Sequence, residues 1–171
     1  MALIVIDMQE RLAPHIEGIG QILKNTEKLV RAIKILEIPV LATEQIKLGK
    51  TVNEIGKFLD GEVIKKATFS CFRNDEFRRK LEGLSPDRIM LTGIETHICV
   101  LQTALDLKDA GYDVYVVADC TGSRRGYDRD VALMRMRDEG VKIATSESLI
   151  YEIVESAEHP AFRSVLEIVK D

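Results

Sequence analysis

The sequence predicts an α/β fold. One three-layer, doubly wound domain spans residues 1–171, with a six-stranded, mostly parallel sheet in the order 3-2-1-4-5-6 and helices on both faces. Three observations lead there. Short apolar runs such as Leu3–Ile6 and Ile89–Leu91 are unbroken rather than alternating, as strands covered on both faces require. Segments of helical period separate them, and strands joined through helices imply right-handed crossovers into a parallel sheet. No Pro/Gly/Ser linker or internal repeat interrupts the pattern, and 171 residues with 46% hydrophobic content can bury one good core.

The elements follow in order. Ala2–Ile6 is the first strand, ended by Asp7. Ile19–Leu36 is an amphipathic helix with Ile22, Leu29, Ile33 and Leu36 inward. Pro39–Thr43 is the second strand, Glu62–Lys66 the third, and Asp75–Leu84 the next helix. The fourth strand, Arg88–Thr92, closes on Gly93. The helix after it carries Val100, Ala104 and Leu107 on one face, with Leu101 and Leu105 alongside, and stops at Gly111. Asp113–Ala118 is the fifth strand, Asp128–Glu139 a helix and Val141–Ala144 the sixth strand. Helices near Ser146–Val154 and Pro160–Val169 finish the chain.

Composition removes several function classes. A formal charge of −4 with acids and bases interspersed leaves no basic stripe, so no nucleic acid is expected as a partner. Leu3–Ile6 is too short for a signal peptide or a membrane span, and the expected location is cytoplasmic. The three cysteines (Cys71, Cys99, Cys120) are odd in number and lack metal-ligand spacing, which suits a reducing compartment without a metal. No Gly-x-Gly-x-x-Gly follows the first strand, where the chain reads Asp7-Met-Gln-Glu-Arg11, and no cofactor is expected. Met8 and Gln9 supply no second carboxylate for the magnesium of an aspartyl phosphotransferase.

In such sheets ligands bind beyond the carboxyl ends of the strands, where strand order reverses. The predicted order puts that point between strands one and four, so Asp7 faces Cys99 and Lys66 reaches the same edge. Thr96 can cap the helix after strand four, which leaves Cys99 about three residues in, among unpaired backbone N–H groups that favour a thiolate. Cys99 is then the nucleophile, Lys66 lowers its pKa, and Asp7 moves the proton. Singly, each residue has an ordinary reading: a capping aspartate, a solvated lysine, a core cysteine. Their convergence from distant segments is the argument for an enzyme.

Asp7-Met-Gln9, Lys66-Ala-Thr-Phe69-Ser70-Cys-Phe72 and Gly93-Ile-Glu-Thr-His-Ile-Cys99-Val resemble the isochorismatase-like cysteine hydrolases, in the branch of isochorismatase domain-containing proteins. The likeness runs on through Thr43-Glu44-Gln45, Ala118-Asp119, Ser123-Arg124, Ser146-Glu147-Ser148 and His159-Pro160-Ala-Phe162, nearly the whole chain. That resemblance implies Asp7, Lys66 and Cys99 as a catalytic triad. It also implies a cis peptide at Ile94–Glu95, an oxyanion hole from the backbone N–H groups of Glu95 and Cys99, and a homo-oligomer. Thr43-Glu44-Gln45 stands where metal-dependent nicotinamidases carry Asp-x-His, and true isochorismatases lack the cysteine. The implied activity is hydrolysis of a small amide, carbamoyl or related acyl compound through a thioester. The alternative is a non-catalytic binding protein or thiol redox sensor on the same fold.

Gln45, Phe69, Phe72 and Thr96 flank the triad positions and are expected to line the substrate pocket. His97, two residues before Cys99, reads as a surface or capping residue rather than a catalytic partner. Arg124 and Arg125 follow the fifth strand at the same edge, where either could meet a substrate carboxylate or simply be solvated.

Overall fold

The computed structural model describes residues 1–61 and 63–170. Six strands form one parallel sheet: β1 (Ala2–Ile6), β2 (Val40–Gln45), β3 (Ile64–Lys66), β4 (Arg88–Ile94), β5 (Asp113–Gly122) and β6 (Lys142–Ala144), in the order β3-β2-β1-β4-β5-β6. The predicted strand order is the observed one. Glu62, the expected start of the third strand, lies outside the described residues. The helices are α1 (Ile19–Ile35), α2 (Asn53–Gly56), α3 (Asp75–Leu84), α4 (Leu101–Asp109), α5 (Gly126–Asp138), α6 (Ser146–Val154) and α7 (Phe162–Lys170).

β1 shows why the apolar runs are unbroken. All five of its residues are buried. Leu3 and Val5 face the core beneath α1, α6 and α7, with Leu29, Ile33, Ile150 and Val165. Ile4 and Ile6 face the core beneath α3, α4 and α5, with Phe77, Leu81, Ala104 and Met136. Alternating side chains thus enter two separate apolar layers. Local signals set the helix starts: Asn74 Oδ1 accepts from Phe77 N at 2.9 Å, and Thr145 and Ser148 make a reciprocal capping box on α6.

Boundaries move where side chains take over backbone pairing. β5 runs to Gly122, four residues beyond its expected end. Its register with β4 shifts between Leu91↔Val116 and Gly93↔Thr121. Thr92 Oγ1 donates to Cys120 O at 2.6 Å within that irregular stretch, and Asp119 turns outward to accept from Ser146 N and Oγ at 2.7 and 2.6 Å.

The chain begins in the middle of the sheet, winds out through β2 and β3, and returns to place β4 beside β1. The crevice lies at that return. Gly93 makes the close approach possible. It has φ +135°, and a Cβ there would lie 2.1 Å from Ile6 O. Gly93→Ala is therefore expected to destabilise the protein by about 3 kcal/mol or more, measured by urea denaturation.

Candidate active site

Asp7, Lys66 and Cys99 meet at the carboxyl edge of the sheet, and all three are buried, with Cys99 only 6% exposed. Asp7 ends β1 in a left-handed conformation, φ 52°, which aspartate tolerates better than most residues. Its carboxylate caps no helix. Oδ1 accepts from Thr43 Oγ1 at 2.8 Å, and Oδ2 accepts from Lys66 Nζ at 2.6 Å.

Lys66 ends β3, two strands away from β1, so its stem must cross about 10 Å of sheet. β2 fills that gap. Thr43 and Gln45, two residues apart on one face of β2, hold the two charged groups from between. Gln45 Oε1 accepts from Lys66 Nζ at 2.8 Å while its Nε2 donates to Ala67 O at 2.8 Å. The carbonyls of Thr68 and Phe69 complete the ammonium's surroundings, each at 3.2 Å. Cys99 Sγ lies 3.7 Å from the same nitrogen. Gln9 clamps the loop above this floor: it accepts from Gln45 N at 2.8 Å and donates to Gln45 O and Gly49 O at 3.0 and 2.7 Å.

Cys99 does not sit in the first turn of an α-helix capped by Thr96, as the spacing suggests. The peptide bond between Ile94 and Glu95 is cis, and Thr96–Val100 form a π-turn that leads into α4. Glu95 O accepts from both Ile98 N and Val100 N, at 3.1 and 3.2 Å. Glu95 takes the capping position, and the Thr96 hydroxyl is buried with no partner among the described residues. The Glu95 carboxylate is occupied too, accepting from Arg124 N at 2.9 Å and Arg124 Nε at 3.1 Å.

The electrostatics differ from the expected thiolate. Burial pushes the Cys99 thiol well above its ordinary range. The negative charge of Asp7 adds to this, and Lys66 offsets it only in part. Burial alone would lower the Lys66 pKa, but the Asp7 carboxylate, by its charge and its hydrogen bond, raises it on balance. Asp7 and Lys66 neutralise each other, so little positive charge remains for the sulfur. Burial likewise pushes the Cys71 thiol up to about 11, against the pull of Lys66.

The pocket-lining expectations divide. Gln45 holds the lysine. Phe69 is 54% exposed at the rim, while its carbonyl faces Lys66. Phe72 is not in the crevice: its ring meets Tyr112 edge-on, 6.2 Å between centroids, near the far end of α4. Two residues that support the site, Thr43 and Gln9, carry no assigned role in the sequence reading. The available signal was the two-residue spacing of Thr43 and Gln45 along a central strand. Among the described residues, no group of three or more His, Cys, Asp or Glu side chains is arranged to hold a metal ion.

A doubly wound sheet with ligand chemistry gathered at its switch point defines a broad class of α/β proteins, and comparison with known proteins says which family within it. The isochorismatase domain matches residues 1–148, and the chain belongs to the isochorismatase family. The mouse isochorismatase domain-containing protein 2A is 39% identical over 173 residues, covering 99% of this chain and 82% of the relative. The secreted isochorismatase effector Isc1 of Phytophthora sojae is 40% identical over 177 residues, covering 99% and 84%. The solved structure of the MAR1 ribonuclease from Caenorhabditis elegans superimposes with a TM-score of 0.93 at 34% identity, over 99% of this chain and 89% of that one.

Two outcomes follow from the buried pair. Asp7→Asn or Lys66→Met alone leaves an uncompensated buried charge and is expected to cost about 3–5 kcal/mol in urea denaturation, with the double variant recovering more than half of that loss. Alkylation of Cys99 by iodoacetamide, followed by mass spectrometry, is expected to rise only above the pH range of an ordinary thiol, about 8.5. Asp7→Asn removes the negative neighbour and frees the charge of Lys66, so it shifts that profile to lower pH. Lys66→Met shifts it higher.

Proposed function

We propose that this chain is a cysteine-dependent hydrolase of a small amide, carbamoyl or related acyl compound, acting through Asp7, Lys66 and Cys99. The observation that carries this reading is a thiol placed against a buried acid–lysine pair at the switch-point crevice. The resting thiol suits base-assisted attack. As Sγ bonds to the carbonyl carbon, its proton passes to Asp7, and Lys66 holds the acid in place throughout. The carbonyl oxygen becomes an oxyanion, received by the backbone N–H groups of Glu95 and Cys99. Collapse breaks the C–N bond. The leaving nitrogen takes the proton from Asp7 and a thioester remains on Cys99. Water, losing a proton to Asp7, then releases the acid and restores the thiol. No metal or organic cofactor has a task in this sequence.

A redox-sensing role is less well supported, because sensors rely on a thiolate at neutral pH and this thiol is held protonated. A binding role without turnover leaves the placement of the thiol against the buried pair without a task. RNA is disfavoured as a substrate by the net charge of −4, whatever the C. elegans relative cleaves. The three cysteines are all free, which supports a reducing, cytoplasmic setting. Among the described residues no helix is long and apolar enough to cross a membrane. A homo-oligomer is supported by α5, whose Tyr127, Val131 and Met134 are exposed at helical spacing.

The test is a panel of small primary amides, N-carbamoyl compounds and RNA, assayed for ammonia release or strand cleavage, with intact-mass detection of an acyl-enzyme. Turnover of an amide or carbamoyl compound is expected, with a thioester on Cys99. Cys99→Ala is expected to lower kcat by about 10³-fold or more, and Asp7→Asn by about 10²–10⁴-fold. Unchanged turnover in Cys99→Ala would falsify the thiol mechanism.

A further inference from the structure

Cys71 is a buried thiol to which the hydrolase mechanism gives no task. It opens the short turn Cys71–Arg73 after β3 and is fully buried. Its backbone N–H donates to Thr103 Oγ1 at 2.9 Å, and Thr103 is itself buried on α4, one turn beyond Cys99. Its sulfur lies 3.7 Å from Thr43 Oγ1, the hydroxyl that also meets Asp7 Oδ1 at 2.8 Å. Cys71 is thus fixed at both ends, by its backbone to the helix that follows the nucleophile and by its sulfur to β2.

Proton counting gives the sulfur–hydroxyl contact a direction. A hydroxyl has one proton to donate, and the Asp7 carboxylate, paired with Lys66, can only accept. The Thr43 proton therefore goes to Oδ1, and Thr43 Oγ1 meets Cys71 as an acceptor. Burial pushes the Cys71 thiol up to about 11, so its proton stays available as the donor at neutral pH. A hydroxyl that accepts one hydrogen bond is polarised to donate the next more strongly. We infer that Cys71 and Thr43 are positioning residues: a directed chain, Cys71 Sγ–H to Thr43 Oγ–H to Asp7 Oδ1, disperses the charge of the acid and so sets how firmly it holds the Cys99 proton. The groups that bear on Cys99 are Asp7 after β1, Lys66 at the end of β3 and Cys71, and of these Asp7 alone accepts from the chain. The inference rests on the hydrolase reading for the use made of that proton, but the chain can be measured without turnover.

The experiment follows iodoacetamide alkylation of Cys99 against pH in the full chain by peptide mass spectrometry, with urea midpoints to confirm folding. Thr43→Val keeps the shape and removes the hydroxyl, so the acid's charge is less dispersed and the Cys99 profile moves to higher pH. At a fixed pH below the midpoint the rate is expected to fall about three- to ten-fold, the scale of one net hydrogen bond. If that variant does not fold, Thr43→Ala removes the same hydroxyl. Cys71→Ala is expected to lower the rate about two-fold, since a thiol is a weak donor. Thr43→Ser keeps the hydroxyl and the wild-type profile. In the Thr43→Val background Cys71→Ala has no further effect, because its route to Asp7 is gone. An unmoved profile in folded Thr43→Val or in Cys71→Ala overturns the chain, and so does a Cys71→Ala effect that survives in full in Thr43→Val. Where an amide or carbamoyl compound is turned over, the acid limb of kcat/KM moves to higher pH in Thr43→Val and not in Thr43→Ser. A limb that stays in place overturns the inference while leaving the thiol mechanism standing. The expected alkylation shifts without turnover of any substrate support the chain and remove the hydrolase reading instead.

Discussion

The buried ion pair of Asp7 and Lys66 is the constraint around which this structure is organised. Two opposite charges out of water are tolerable only with close geometry and with their remaining hydrogen-bonding capacity met. The partners come from strands that are not neighbours, so the strand between them must supply polar groups at the right height. Thr43 and Gln45 do so, and the carbonyls of Thr68 and Phe69 close the lysine's side. Strand order, the turn after β3 and the polar face of β2 are thereby linked to a single contact of 2.6 Å.

The pair also explains the state of the thiol. A lysine beside a cysteine ordinarily favours the thiolate, but here the lysine's charge is matched by an acid closer than the sulfur. Burial then decides, and the thiol keeps its proton. A neutral crevice at rest concentrates charge only when a bond to sulfur forms, which places the acid's basicity where an attack on a carbonyl would use it.

Much of the frame was legible in the sequence because burial on two faces leaves a plain mark. The unbroken runs of β1 and β4, the helical periods between them and the stop at Gly111 led to the observed strand order. Asp7, Lys66 and Cys99 could be brought together from that order, with family resemblance behind them. What stayed hidden depends on side chains acting across strands. The extension of β5 to Gly122 follows from Thr92 and Asp119 bonding away from the ladder. Phe72 neighbours Lys66 in sequence, but the turn at Cys71–Arg73 carries its ring toward Tyr112. The thiol's protonation depends on which partner the lysine meets first, and spacing along a chain holds no such information.

The π-turn has a consequence for how this fold can vary. A π-turn holds one residue more than an α-turn over nearly the same axial rise. Removing a single residue between Thr96 and Val100 would let the segment wind as ordinary α-helix, with β4 and α4 still joined in line. The side chain now at position 99 would swing by roughly 100° around the axis. A change of one codon's length would thus keep the sheet, the helices and the buried pair, and point the thiol elsewhere. Loss of chemistry and loss of fold are separable in this architecture at one turn of backbone.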